Sequence, residues 1–190
     1  AVRAGTLDSK TMTLLGVQAA RRHAYLKNRA RCGFRPRQQF PESGYYLLGT
    51  AFGTPDEVRL LVDAGPLGYL SLAAHGHADA LAITLGIGDR EILIDPGTYT
   101  FHTEPAWRQY FRSTLAHNTV EIDGLDQSQQ SGNFMWSRHA TARCIEFDPT
   151  PGLQRFVGEH DGYARLADPV VHRRELVLEP GRALIDVTDM

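Results

Sequence analysis

Lysine is almost absent from this sequence, since only Lys10 and Lys27 stand among the 20 basic side chains. The net charge at pH 7 is −2, so the molecule as a whole does not attract polyanions or nucleic acid. Any anion-binding site must come from a local cluster of basic groups. Arginine suits such a cluster, because its planar guanidinium binds carboxylate or sulfate through two hydrogen bonds. Codon bias in a GC-rich genome is the alternative explanation for the excess of arginine.

Cysteine and long apolar runs are also scarce. Cys32 and Cys144 are the only cysteines; they have no metal-binding spacing, and they could pair only in an exported protein. No run reaches the roughly 18 apolar residues that a membrane helix needs. No basic segment followed by an apolar one opens the sequence as a secretion signal would. The sequence reads as an excerpt of a longer chain, with residues missing on both sides.

One helix is predicted, over residues 9–31. Asp8 or Ser9 can cap its start and Gly33 follows its end, in line with capping preferences. Its apolar stripe is uneven, with arginines between the apolar positions. Pro36 and Pro41 then break the pattern.

Strands dominate the rest of the chain. Short apolar or alternating runs are separated by turn residues about every ten positions, which is typical of an antiparallel sandwich. Gly86 and Gly88 predict a hairpin between two of these runs. The predicted strands are 44–50, 57–64, 69–85, 91–95, 117–122, 138–147, 154–161, 170–178 and 183–188. The predicted fold is therefore mainly β, a two-layer antiparallel β-sandwich with one N-terminal helix.

The segment from His75 through His77 to Asp79 carries the densest chemistry. Alternate residues of a strand point the same way, so a strand over 69–85 would place all three on one otherwise apolar face. Burying polar groups there is unfavourable unless they find partners. The cluster predicts metal binding or catalysis; a hydrogen-bonded structural role is the alternative.

Two further residues extend this cluster into a possible set of metal ligands. Asp95 ends the strand that returns from the hairpin, and His117 begins the next predicted strand. Together with His77 they offer two imidazoles and one carboxylate. Zinc accepts such a donor set, with water as a fourth ligand. The spacing alone leaves the metal open.

Three other side chains are candidates for a polysaccharide site. Tyr99 follows a tight Asp-Pro-Gly corner and can point into a cleft, or it can be a packing aromatic. Arg108 and Arg112 are four residues apart. They can both face an anionic sugar, or they can form structural ion pairs.

Three separate stretches resemble the heparinase II/III-like polysaccharide lyases. They are Gly65–Gly68 followed by His75–Leu81, which begins His-Gly-His-Ala-Asp; Leu93–Tyr99, which reads Leu-Ile-Asp-Pro-Gly-Thr-Tyr; and Trp107–Thr119, which ends in Leu-Ala-His-Asn-Thr. The resemblance covers roughly residues 40 to 130. It implies an N-terminal α/α toroid followed by a C-terminal β-sandwich. Residues 1–40 would then be a helical linker from a missing toroid domain, and residues 41–190 the sandwich.

The resemblance also implies an activity. Such proteins cleave uronic-acid-containing polysaccharides, among them heparin, heparan sulfate and alginate, by β-elimination. It implies that His75 and Tyr99 are catalytic, and that His77, Asp95 and His117 hold a mainly structural zinc ion. Arg108 and Arg112 would bind the acidic polysaccharide.

Other expectations follow from the resemblance and the substrate class. The isolated chain would carry half a cleft and show little activity without its toroid. A periplasmic or secreted location follows from the substrate class alone. No nucleic-acid or membrane partner is expected, and a homodimer remains open.

Two alternatives are carried beside the lyase. A cupin-type metal protein also places His-x-His on a strand, but no glutamate follows His77 at the usual short distance. A non-catalytic carbohydrate-binding or structural sandwich would use the histidines only to brace the fold.

Overall fold

The computed structural model describes residues 35–69 and 71–190. The helix predicted over 9–31 and Cys32 lie outside these residues. The proposed boundary at residue 40 stays a prediction. In the described part of the chain, no helix is long and apolar enough to cross a membrane.

The described residues form strands joined by loops, with one α-helix. In chain order the elements are β1 (Gln39–Phe40), β2 (Tyr45–Thr50), β3 (Val58–Asp63), β4 (Ile83–Ile87), β5 (Arg90–Leu93), α1 (Pro105–Arg112), β6 (Gln129–Gln130), β7 (Trp136–Arg138), β8 (Ala142–Asp148), β9 (Gln154–His160), β10 (His172–Glu179) and β11 (Leu184–Asp189). Single 3-10 turns lie at Thr114–Ala116 and Pro180–Arg182.

Two antiparallel sheets make up the sandwich. The first has the strand order β1-β2-β3-β4-β5, the second has the order β11-β10-β9-β8, and β6 and β7 form a separate ribbon. Every strand pairs antiparallel to its neighbours in the sheets. The β-sandwich predicted from the sequence is confirmed.

Alternation along the strands builds the core. In β3, Leu60 and Val62 are fully buried, and both face the second sheet because side chains two apart share a face. Phe156 of β9 and Leu176 of β10 meet them from the other layer. Each such side chain contributes about 1.5–3 kcal/mol of burial energy, so this cluster holds the two layers together.

Two of the predicted strands are wrong. Of the strand predicted over 69–85, only its end is a strand, as β4, and the residues before it form loops and turns. Ala73 and Leu81 have positive φ angles of 45° and 59°, which an extended strand cannot contain. The cupin-type alternative rested on a His-x-His strand, and that strand does not exist.

The strand predicted over 117–122 is also absent. His117 follows the 3-10 turn, and the segment contributes a single bridge between Ile122 and Leu125. The side-chain amide of Asn118 donates to the carbonyls of Ile83 and Ile94, at 2.9 and 2.8 Å. These bonds satisfy the end of the first sheet, so the segment crosses that end instead of adding a strand to it.

Candidate metal centre and the surface beside it

The loop that carries both histidines is held in a compact shape by its neighbours. A Cβ atom at Gly76 would lie 1.8 Å from the carbonyl oxygen of Leu67, so only glycine fits between His75 and His77. The backbone N–H of Ala78 donates to the carbonyl of Arg112 at 2.9 Å, which anchors the loop to α1. The two histidines therefore leave the loop in different settings: His75 is exposed and His77 is buried.

His77 meets His117 at the end of the first sheet. Their ring centroids lie 5.2 Å apart. Nδ1 of His117 lies 2.9 Å from Oδ2 of Asp95, and Nε2 of His77 lies 3.3 Å from the hydroxyl of Thr98. The structure thus brings together the three residues that the sequence predicted as a set.

Asp79 joins them. His77, Asp79 and His117 each offer one ligand atom, and these atoms lie within 4.8 Å of one another. We call the four residues His77, Asp79, Asp95 and His117 the His77 cluster. In this arrangement Asp95 bonds Nδ1 of His117, while Asp79 places a carboxylate oxygen within 4.8 Å of a ligand nitrogen of each imidazole. The HxHxD spacing was a signal for Asp79 that the predicted ligand set left unused.

One nitrogen of this cluster is buried without a partner. The His117 side chain is 1% exposed, and its Nε2 has no hydrogen bond to any residue that the structure describes. With Nδ1 donating to Asp95, Nε2 presents a bare lone pair whenever the ring is neutral, which is the form that binds a metal. An unpaired buried nitrogen is unfavourable, so the site has the form that a metal ion would complete.

The four residues of the His77 cluster differ in the direction in which their pKa values are shifted. Burial, with the nearby charge of His117, lowers the pKa of His77 to about 4, so that ring is neutral at pH 7. Burial, with the nearby carboxylate of Asp63, raises the pKa of Asp79 to about 7. Burial lowers the pKa of His117, but its hydrogen bond to Asp95 and the two nearby carboxylates outweigh burial and raise it overall. The hydrogen bond to His117 lowers the pKa of Asp95.

These residues fit a zinc ion. Zinc takes imidazole nitrogen and carboxylate oxygen in a four-coordinate site, and a ligand histidine commonly donates its other N–H to a carboxylate. His77, Asp79 and the Nε2 of His117 would hold the ion, and Asp95 would fix the ring of His117. Bound there, the ion would join the loop of His77 and Asp79 to the segment of His117.

His75 lies on the exposed side of the same loop. Its ring meets Phe101 edge-on at 5.7 Å and Phe134 at 6.3 Å between centroids. Two aromatic side chains thus flank an accessible imidazole. The sequence did not single out Phe101 or Phe134, because their proximity depends on loops far apart in the chain.

Tyr99 lies on the other side of α1. Its backbone φ is +59°, its side chain is 69% exposed, and its ring stacks on Phe111 at 5.4 Å. The ring of Trp107 lies 5.7 Å from that of Tyr99, and Trp107 also contacts Tyr110. We call Tyr99, Trp107, Tyr110 and Phe111 the aromatic surface. The corner after Asp95 thus leaves Tyr99 exposed and stacked on an aromatic neighbour, and its catalytic role stays a prediction.

Arg108 and Arg112 face inward from α1. Both are fully buried. Arg108 donates to the carbonyls of Asn133 and Ala74 at 3.1 and 3.3 Å, and Arg112 donates to that of Gly132 at 2.8 Å. Neither guanidinium has surface to offer a sugar, and neither forms an ion pair with a described residue. They tie the His75 loop to the loop before β7 through backbone carbonyls. This arrangement differs both from the predicted contact with an anionic sugar and from the structural ion pairs that were the alternative.

Comparison with known proteins agrees with this architecture. The family described as Heparinase II/III-like, C-terminal, matches residues 34–190. A structure of a heparinase III, the BT4657 gene product, aligns with a TM-score of 0.66 at 21% identity, over 88% of this chain and 24% of that one. The heparan sulfate lyase HepC from Pedobacter heparinus aligns with a TM-score of 0.59 at 18% identity, over 85% of this chain and 24% of that one. No curated protein sequence matches significantly.

The two-layer sandwich is therefore the fold that this chain shares with parts of these solved structures. The chain belongs to the heparinase II/III-like C-terminal family. It spans about a quarter of the length of the solved structures that share its fold.

Proposed function

We propose that this chain is the β-sandwich part of a polysaccharide lyase that cleaves uronic-acid-containing polysaccharides by β-elimination. Membership of the family supports this assignment, and the observation that carries it is the placement of His75. That residue is an exposed imidazole on a loop that Arg108 and Arg112 hold rigidly, next to a cluster fitted for a metal.

The reaction needs three functions. A base removes the proton at C5 of the uronate, an acid protonates the leaving O4 oxygen, and a positive or hydrogen-bonding group neutralises the carboxylate. The C4–O4 bond breaks as a C4–C5 double bond forms. His75 and Tyr99 are the accessible candidates for proton transfer on this chain. The remaining functions would come from an N-terminal toroid domain, so the isolated chain should have little or no activity.

The substrate is proposed as a heparin-, heparan sulfate- or alginate-like polymer, which would place the parent protein in the periplasm or outside the cell. The net charge of −2 means that an acidic polymer needs local basic groups. Because Arg108 and Arg112 are buried, we place those groups on the toroid.

The test of catalysis uses the full-length parent protein. His75→Gln should lower the rate of formation of unsaturated uronate products by about 10² to 10⁴-fold, the usual contribution of a proton-transfer group. His139→Gln is the matched control, because His139 is an exposed histidine next to β7 with no proposed role. Full activity in His75→Gln would contradict the assignment.

We also propose that the His77 cluster binds zinc, about one ion per chain. The unpaired Nε2 of His117 supports this proposal. Metal analysis of Asp79→Asn and Asp95→Asn distinguishes two ligand sets. Loss of the ion in Asp79→Asn with retention in Asp95→Asn selects Asp79 as the carboxylate ligand, and the reverse result selects Asp95, as the sequence predicted. A well-folded wild-type protein without metal would refute the zinc site.

A second candidate function is sugar binding without cleavage. Trp107 is 50% exposed and Tyr110 is 43% exposed, and exposed aromatic rings can stack on sugars. Oligosaccharide binding to the parent protein without any unsaturated product, abolished by Trp107→Ala, would favour this candidate over the lyase.

A further inference from the structure

A buried arginine of the second sheet reaches the loops at the end of the first. Arg174 lies in β10 and is 5% exposed. Its Nη1 donates to the carbonyl oxygen of Leu81 at 2.8 Å and to that of Asn118, also at 2.8 Å. One guanidinium nitrogen therefore joins two loops that are far apart in the sequence.

Those two loops carry the proposed metal ligands. Leu81 comes two residues after Asp79, and Asn118 directly follows His117. The backbone N–H of Ile83 also donates to the carbonyl of Asn118, at 3.3 Å. The distance between Asp79 and His117 is thus set close to the point where Arg174 links the loops.

The guanidinium is itself held in place by the sheet. Arg174 and Asp189 are cross-strand partners of β10 and β11. Nε and Nη2 of Arg174 donate to the two carboxylate oxygens of Asp189, at 2.7 and 2.9 Å. Such a two-point pair fixes the plane of the guanidinium, which aims Nη1 at the loops.

Two histidines complete the arrangement. The backbone N–H of Gly162 donates to Nδ1 of His160 at 3.1 Å, so the ring proton of His160 is on Nε2. That nitrogen lies 3.0 Å from Nδ1 of His172, whose Nε2 lies 2.8 Å from Asp189. Hydrogen bonds are therefore donated in one direction, from His160 to His172 and from His172 to Asp189. Asp189 is the carboxylate that orients Arg174. We call His160, His172, Arg174 and Asp189 the Arg174 network.

The Leu81 loop also fits the second sheet by shape. Gly158 is the register partner of Arg174 on β9. A Cβ atom at Gly158 would lie 2.8 Å from Cδ2 of Leu81. The missing side chain lets the fully buried Leu81 pack directly over the strand, beside the carbonyl that Arg174 binds.

We infer that Arg174 is a positioning residue for the His77 cluster, acting through the carbonyls of Leu81 and Asn118. The inference rests on the proposed zinc site for its functional meaning. It adds a residue from the opposite sheet, which no ligand spacing in the sequence identifies.

The test compares Arg174→Lys with Arg173→Lys. Lysine keeps the positive charge but has no planar fork, so it cannot bind Asp189 at two points and both carbonyls together. Arg173 is the neighbouring residue of the same strand and is exposed, which makes it a matched control. Two readouts are needed: zinc affinity by competition with a chelator, and amide hydrogen exchange in the metal-free protein.

Arg174→Lys should weaken zinc binding by about 10-fold or more, the usual effect of losing a group that orients metal ligands. It should also speed exchange at the amides of Leu81, Ile83 and Thr119, while the β2–β3 ladder stays protected. Arg173→Lys should change neither readout.

Two results would overturn the inference. One is unchanged zinc affinity and unchanged loop exchange in Arg174→Lys. The other is exchange that rises evenly over the whole domain with zinc affinity unchanged, which would make Arg174 a general stabiliser only. If the wild-type protein binds no zinc, the proposed metal site fails and positioning of that site fails with it; exchange at the three amides then still decides whether Arg174 holds the loops.

Discussion

Two histidine pairs lie in the part of the chain that the structure describes, and they differ in whether their hydrogen bonds are complete. In the Arg174 network every ring nitrogen has a partner, from Gly162 through His160 and His172 to Asp189. In the His77 cluster, Nε2 of His117 is buried with no partner among the described residues. Both pairs are buried next to carboxylates, so burial and proximity do not distinguish them.

This difference in hydrogen bonding indicates which of the two histidine pairs is a candidate ligand-binding site. Buried polar groups are normally satisfied, and the Arg174 network meets that rule with protein atoms alone. The His77 cluster meets it only if something else binds the free lone pair. A complete network is therefore a structural element, while an incomplete cluster that also contains two buried histidines is a candidate binding site.

The largest expected effect is loss of the metal from the incomplete pair. His77→Ala and His117→Ala should each remove zinc, and with it the stability that binding adds, about 4 kcal/mol when the metal is present at a thousand times its Kd. Elemental analysis and thermal unfolding with and without chelator measure both effects.

His160→Gln is the control for that experiment. It breaks the complete network, so it should lower stability and yet retain zinc. Zinc loss in His160→Gln equal to that in His77→Ala would show that the two pairs do not differ as the hydrogen bonds indicate.

The next effect concerns the carboxylate of the complete network. Asp189→Asn keeps the shape of the side chain but removes the charge that compensates Arg174. We expect a loss of about 2–3 kcal/mol, because a buried charge loses its partner while the one-third exposure of the Asp189 side chain (32%) lets water replace part of it. Urea unfolding measures the change. Asp186→Asn, an exposed position of the same strand, should change stability by less than about 0.5 kcal/mol; equal losses would contradict the role of Asp189.

The sequence predicted correctly those parts of the fold that depend on local pattern, and it failed where contacts between distant residues decide the structure. The alternation in β3 and the glycine turn between β4 and β5 depend on local pattern, and both were predicted correctly. The loop with His75 and His77 was predicted as a strand, because its alternating histidines imitate a strand pattern. The positive φ angles of Ala73 and Leu81 are what interrupt an extended strand there. The backbone N–H of Leu81 donates to Asp63, a residue distant in the sequence, so no local pattern reveals this conformation.

The candidate metal centre and its surroundings were also predicted only in part. His77, Asp95 and His117 do come together, since motif spacing carried that information. The inward direction of Arg108 and Arg112 did not follow from spacing, because two residues four apart on a helix share a face without revealing which face is buried. Arg174 depends on the register between β10 and β11, which no local pattern specifies.

Acid should weaken the complete network before it weakens the apolar core. Burial, with the nearby charges of His172 and Arg174, lowers the pKa of His160 to about 3 from the ordinary value of 6.5. The unfolded chain therefore takes up this proton first. Stability from this group is complete above pH 6.5 and falls as the pH drops towards 3, by at most about 1.4 kcal/mol per pH unit.

Urea unfolding at a series of pH values, on the metal-free protein, tests this dependence. His160→Gln removes the titrating group, so its stability should fall less steeply with acid than that of the wild type. Asp79 acts in the opposite direction, since its pKa of about 7 means that protonation favours the folded state, but it is present in both proteins and cancels in the comparison. Identical slopes in the two proteins would contradict the prediction.

The smallest effect is expected at another arginine of the same sheet. Arg143 and Glu159 are cross-strand partners of β8 and β9 and form an ion pair, as Arg174 and Asp189 do. The Arg143 side chain is 70% exposed, so water already solvates its guanidinium, and pairs with such an exposed partner contribute about 0–1 kcal/mol. Arg143→Gln should therefore lower the free energy of unfolding by less than about 1 kcal/mol and leave zinc affinity and loop exchange unchanged. A loss of zinc affinity as large as that in Arg174→Lys would mean that ion pairing across the sheet accounts for the effect of Arg174. The bonds from its Nη1 to the two loops would then not be the cause.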